Sequence, residues 1–226
     1  DETMCSVTVG GLYTSGYSVL PSNLDYGYEN LTDPYSYNQE AAVELLDEAG
    51  IVDTNGDGIR ELDGQEVVLH YVTYENRCLD DFAEAIQQQL AEIGIGVDLE
   101  IGDSARQWDS YQSGDFDLNG SNWTTVGTGD PTEYLAAWCS TSGSDYCGYK
   151  NEEYDKLFEQ LGTTFDNDAR RDIIQQMQQI LLDDAAVVVH GYYNSSMISR
   201  NETVGGAAIP TADYYWLTTD IYPAAQ

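Results

Sequence analysis

Residues 66–101 read EVVLHYVTYENRCLDDFAEAIQQQLAEIGIGVDLEI, and this stretch decides the fold. Its first part, Glu66–Thr73, is rich in β-branched and aromatic residues, the composition of a strand. From Leu79 the period changes: Phe82, Ile86, Leu90 and Ile93 fall on one face of a helix, and Gly94 stands where a helix ends. Ile95, Val97, Leu99 and Ile101 then alternate strictly, which predicts a second strand. Strand, helix and strand within 36 residues make a crossover unit with parallel strands, so the chain is expected to be α/β.

Upstream of this unit, Asn38 is an N-cap for a helix carrying Ala42, Leu45, Leu46 and Ala49, with Gly50 as its stop. Residues 1–37 are rich in Tyr, Ser, Asn and Gly with little periodicity, and are expected to lie as mostly extended coil over the body. Downstream, a short helix is predicted near Ser104–Gln112, then a strand through Phe116, Leu118 and Trp123. Asp130-Pro131 opens another helix. Amphipathic helices are predicted at Asn151–Leu161 and Asp168–Leu182, and a closing strand at Ala185–Tyr193. No repeat or linker interrupts the pattern, so residues 1–226 are treated as one domain.

The charge balance limits the partners. The chain has 40 acidic residues against 8 basic ones, a net charge of -32 at pH 7, so nucleic acid and anionic lipid are poor partners. A surface this depleted in lysine suits a saline habitat or a cell exterior. No apolar run approaches the roughly 20 residues that span a bilayer, and the first residues read as the interior of a longer sequence.

Four cysteines leave alternatives open. Cys139 and Cys147 bracket a loop rich in Ser, Gly and Asp that a short disulfide would close, the alternative being a pair of buried thiols. Cys5 and Cys78 would pair only by elimination. Asp53, Asn55, Asp57, Ile59 and Glu61 follow the first nine positions of a calcium loop, but Gly64 stands where the bidentate Glu belongs; a solvated acidic turn is the competing reading. With so many carboxylates, adjacent pairs such as Asp183-Asp184 say nothing about catalysis, and no serine or histidine has triad spacing, so an enzyme is not expected.

The clearest binding candidate is the segment running from Asn122 to Asp130, set between a predicted strand and a predicted helix, where open α/β sheets present their ligands. Trp123 offers a flat apolar wall, Asn122, Thr124, Thr125 and Thr128 offer polar groups, and Gly127 lets backbone approach a ligand. Tyr74 is grouped with this set, as is Arg77, which enters only through a family resemblance. The competing reading places Trp123 in the core and leaves the loop merely solvated.

Several blocks together resemble one family. ELLDEAG at Glu44–Gly50 runs into the Asp53–Ile59 turn; QQQLAEIGI at Gln87–Ile95, GDFD at Gly114–Asp117, the Trp123–Pro131 loop and GYKNEEYDKL at Gly148–Leu157 follow in order. This succession is similar to the C-terminal lobe of the extracellular solute-binding proteins of the peptide- and nickel-binding type. The resemblance implies a periplasmic-binding-protein-like fold of type II, a single lobe with a mixed, partly parallel sheet flanked by helices. It also implies a protein roughly twice as long, with an N-terminal lobe closing on a peptide or small solute. The implied partner is an ABC permease, and the implied location is extracellular or periplasmic, as a cell-surface lipoprotein in the full-length form. A nickel or metal-chelate importer component and a calcium-stabilised surface module are the alternatives; no other cofactor is implied. The resemblance also bears on sulfur, since the family's dipeptide binders have two cysteines flanking the loop that Cys139 and Cys147 bracket here. Those binders place an Asp for the ligand's ammonium where this chain has Val126 or Gly127, and a carboxylate-binding Arg where it has Thr73, with Arg77 nearby. A strict dipeptide role is therefore not expected.

Overall fold

The computed structural model describes residues 2–127, 129–196, 198, 200, 202–208 and 220–224. The N-terminal segment makes one π-helical turn at Met4–Thr8, a two-residue strand β1 (Tyr13–Thr14) and a 3-10 turn at Tyr28–Asn30, and is otherwise irregular. Helix α1 (Gln39–Glu48) starts where the Asn38 side chain accepts the Ala41 amide, the capping bond that its sequence predicted. None of its residues is fully buried, and Leu45 is 60% exposed. A small antiparallel hairpin of β2 (Glu61–Leu62) and β3 (Gln65–Glu66) leads into the central unit.

That unit is β4 (Val68–Tyr74), α2 (Leu79–Ala91) and β5 (Gly96–Gly102), followed by α3 (Ser104–Ser113) and β6 (Leu118–Asn119). The strands form a sheet in the order β5–β4–β6, parallel throughout, with Val68 opposite Gly96 and Tyr71 opposite Leu118. Central β4 is covered on both faces, which is why Tyr71, Val72 and Thr73 are buried and why its sequence is nearly continuous in β-formers. Gly94 ends α2 with φ +83, and a Cβ there would stand 2.9 Å from Cγ of Arg60. Arg60 in turn donates to the carbonyls of Ile93 at 2.7 Å and Ile51 at 2.6 Å and to Asp47 at 2.6 Å, tying the ends of α1 and α2 to the hairpin.

The second half is helical: α4 (Thr132–Leu135), a 3-10 turn at Ala136–Trp138, α5 (Glu152–Thr163) and α6 (Asn167–Asp183). Asn151 and Asp166 cap α5 and α6. Tyr154, Leu157 and Leu161 on α5 meet Ile173, Ile174, Met177 and Leu181 on α6, the helical spacing visible in the sequence. Buried Gln178 accepts the Ser18 hydroxyl at 2.9 Å and donates to the Tyr26 carbonyl at 2.8 Å, so the N-terminal segment is fastened to α6 by a satisfied polar contact. Val19 and Leu20 enter the same core.

Two expectations are corrected. The strand expected over 185–193 is reduced to β7 (Tyr192–Tyr193), which pairs antiparallel with β1. Among the described residues only two-residue β1 pairs with this segment; Ala186, Val187 and Val189 pack against the helical core instead, and Val188 is 70% exposed. A last antiparallel pair joins β8 (Val204–Gly205) to β9 (Tyr222–Pro223). The second correction concerns sulfur. Cys5, Cys78, Cys139 and Cys147 are all free, so neither the Cys139–Cys147 nor the Cys5–Cys78 bridge forms. Cys139 is buried beside the Thr141 hydroxyl at 3.3 Å, whereas Cys147 is exposed and turned to Asp145 at 3.1 Å. Polar bonds close the loop in place of sulfur: Asp145 accepts the Gly148 amide and the Ser142 hydroxyl donates to the Ala136 carbonyl. Cys5 donates to the His190 carbonyl. No helix among the described residues is long and apolar enough to cross a membrane.

Candidate ligand cleft

Because β4 and β6 are parallel, their carboxyl ends leave the sheet on one side, and the chain leaving β6 must turn there. Gly120 makes that turn possible. Its amide donates to the Val72 carbonyl at 2.8 Å and its carbonyl accepts the Thr73 hydroxyl at 3.2 Å, an approach to β4 that leaves no room for a Cβ. Gln107 of α3, almost fully buried, donates to Asn119 at 2.5 Å and to Ser121 at 3.4 Å. Helix and loop are thereby clasped together.

The result is a cleft of about 660 Å³, open to solvent. Tyr74 at the end of β4, Asn122, Trp123, Thr124, Thr125 and Gly127 all line it. Trp123 is 39% exposed, so the reading that placed it in the core fails. Its ring is 6.2 Å from Trp108, 6.0 Å from Tyr111 and 6.2 Å from Tyr134, and Tyr134 meets core Trp138 edge to face at 5.1 Å. Trp123 thus packs among three aromatic rings and still keeps part of its surface open to solvent. Val126, in the same loop, is buried.

Asp130 also lines the cleft. Its carboxylate accepts the Thr132 amide at 2.9 Å, the Thr132 hydroxyl, and Arg170 of α6 at 2.5 Å. Partial burial pushes the Asp130 carboxyl up, but the Thr132 and Arg170 bonds outweigh it and hold the group below its ordinary range.

The helices α3 and α4 form where the sequence predicted them, but their residues were not expected in the site. Ser104, Gln107 and Trp108 come from one, and Glu133 and Tyr134 from the other. The signal present in the sequence was Ser104, Gln107 and Trp108 at three- and four-residue spacing, one face of a helix that follows a strand end. Arg77 is not in the lining. It has φ 53, its guanidinium lies over the Tyr193 ring at 5.1 Å, and its carbonyl accepts the Tyr13 hydroxyl at 2.6 Å. Thr128 lies outside the described residues.

The Asp53 loop is elsewhere, beside Arg60. Asp53 accepts the amides of Gly56 and Gly58, Asn55 that of Asp57, Asp57 that of Ile59, and Glu61 that of Thr54. Those two glycine amides hold the Asp53 carboxyl below its ordinary range. Among the described residues no three His, Cys, Asp or Glu side chains are grouped as metal ligands.

Comparison with known proteins agrees with this architecture. The family described as Bacterial extracellular solute-binding proteins, family 5 Middle, matches residues 2–146. The oligopeptide-binding protein AppA of Bacillus subtilis (strain 168) is 29% identical over 199 residues, which are 86% of this chain and 37% of that protein. The structure of Bacillus subtilis AppA in complex with a nonapeptide matches at a TM-score of 0.67 and 25% identity, covering 84% of this chain and 39% of the other. NikA from Brucella suis in complex with Fe(III)-EDTA shares the fold at a TM-score of 0.72 and 23% identity, over 85% of this chain and 39% of that one. The chain thus spans less than half the length of these relatives. With its family profile matched across most of its length and its periplasmic-binding-protein-like fold, the chain belongs to the bacterial extracellular solute-binding proteins of family 5.

Proposed function

We propose that this chain supplies one wall of the cleft of a two-lobed solute-binding protein that delivers oligopeptides to an ABC permease from outside the cytoplasmic membrane. The observation that carries the reading is the aromatic-walled cleft of about 660 Å³ at the carboxyl ends of parallel strands, in a chain of this family. Its chemistry suits peptides. Asn122, Thr124 and Thr125 can meet backbone amides and carbonyls without demanding one side chain, and Trp123 offers ring surface to whatever side chain falls there. Thr128 belongs to the same loop. The similarity to AppA, whose structure holds a nonapeptide, supports the oligopeptide over the metal-chelate reading, because the likeness to NikA is one of fold.

Such a protein works by closing a second lobe over the solute, and it needs no catalytic group. The second lobe, the permease and a lipid anchor are parts of this proposal. Calcium at the Asp53 loop is the weaker alternative, since the oxygens there already accept backbone amides. The test is to purify the two-lobed protein under native conditions and identify what it releases on denaturation by mass spectrometry. Peptides of mixed sequence are expected; a metal chelate or a single non-peptide solute would overturn the oligopeptide reading.

A further inference from the structure

The charges around the cleft are one-sided. Among the described residues that line it there are two carboxylates, Asp130 and Glu133, and no Lys, Arg or His. Asp130 is neutralised by Arg170, which reaches it from α6. Glu133 is exposed and, among the described residues, has no hydrogen-bond or ion-pair partner. In the lining of the same cleft, Trp108 and Trp123 are 40% and 39% exposed, with ring centroids 6.2 Å apart and planes at 53°.

The places where an anion would bind are already filled by the protein's own carboxylates. The amino end of α3 opens at the cleft with Ser104, but Asp103 accepts the Ala105 amide at 3.1 Å and the Arg106 amide at 2.9 Å. Asp130 does the same for the Thr132 amide. An anionic group entering here finds no free cation in the lining and a net charge of -32 around it. A guanidinium or ammonium finds two part-exposed indoles and one unpaired carboxylate, the chemistry that holds cations in aromatic sites.

The geometry points to a cation-selective subsite, formed by Trp108, Trp123 and Glu133, that receives an Arg or Lys side chain of the bound peptide. This assignment rests on the peptide reading above and adds a charge preference to it.

Three pentapeptides blocked at both ends, Ala-Ala-X-Ala-Ala with X as Arg, Gln or Glu, test it on the two-lobed protein. The indole N–H resonances of Trp108 and Trp123 are followed by NMR titration at about 0.3 M salt, where long-range attraction is screened. The Arg peptide is expected to bind about threefold more tightly than Gln and about tenfold more tightly than Glu. Glu133→Gln should remove most of the Arg preference, while Glu159→Gln, an equal change of net charge on the exposed face of α5, should leave it intact. Equal dissociation constants for the three peptides, or equal losses in the two variants, would overturn the subsite while leaving the peptide cleft standing. If no peptide moves either indole at millimolar concentration, the peptide reading itself fails and the subsite with it.

Discussion

Replacing Gly120 with alanine probes how the cleft loop is held against the sheet. A Cβ at that position would lie 2.7 Å from the Thr73 hydroxyl oxygen, 2.9 Å from the Tyr71 hydroxyl and 3.0 Å from the Thr73 Cβ. Neither neighbour can withdraw easily, because Thr73 is 0% and Tyr71 4% exposed on the central strand. Overpacking of this kind costs about 1–3 kcal/mol. If the loop retreats instead, it weakens the Gly120 amide bond to Val72 and the Thr73 bond to Gly120, each worth about 1 kcal/mol. The smaller entropy of an unfolded chain with alanine returns about 0.4–1 kcal/mol. A net destabilisation of about 1–2 kcal/mol is therefore expected, read as a lower urea midpoint at unchanged slope. In a Thr73→Ala background the hydroxyl contact is gone, and the cost of Gly120→Ala should fall by at least about 0.5 kcal/mol. A Gly120→Ala protein within about 0.3 kcal/mol of the parent, or one equally destabilised in both backgrounds, would refute the close packing of this loop on β4.

Other variants address the scaffold. Arg60→Met should cost about 2–3 kcal/mol in chemical denaturation, because its side chain is 13% exposed and its guanidinium serves two carbonyls; Asp47→Asn, at a 55% exposed partner, should cost less than about 1 kcal/mol. The depressed Asp130 pKa means that its unfolded form binds a proton more readily than its folded form. Its contribution to stability is then present above the unfolded pKa and lost as pH falls through the folded one. Melts of the parent and Asp130→Asn between pH 7 and 3 should differ most at the neutral end and converge at the acid end; a constant difference would contradict the sign. Thiol titration of the unreduced protein in denaturant should count four reactive groups, Cys5, Cys78, Cys139 and Cys147; a count of two would restore a bridge.

The central unit was legible because two periods change at sharp boundaries. Alternation at Ile95–Ile101 and the helical face of Phe82 and Ile86 leave little freedom, and Val68–Tyr74, Leu79–Ala91 and Gly96–Gly102 fall where they point. The run Val187–Val189 misled for a related reason: β-branched residues announce a strand only where a partner strand is present to pair with them, and here β1 is two residues long. The cleft loop was legible from Trp123 and its polar neighbours. The α3 wall was not, since Trp108 reaches the site through a helix whose orientation depends on the clasp between Gln107 and Asn119, a contact across 12 residues that no local pattern announces. Free cysteines were hidden likewise: spacing brings Cys139 and Cys147 near in sequence, but their different depths are set by packing of the 3-10 turn and the polar closure of the loop.

Isothermal titration of the two-lobed protein with a peptide recovered from it, beside the Trp123→Ala variant, tests the binding role most directly. Trp123 is 39% exposed, so its loss should lower the melting temperature little, while affinity should weaken by about 1–3 kcal/mol, roughly 5- to 150-fold. Unchanged affinity in a folded Trp123→Ala protein would contradict the account and remove this cleft from the solute site.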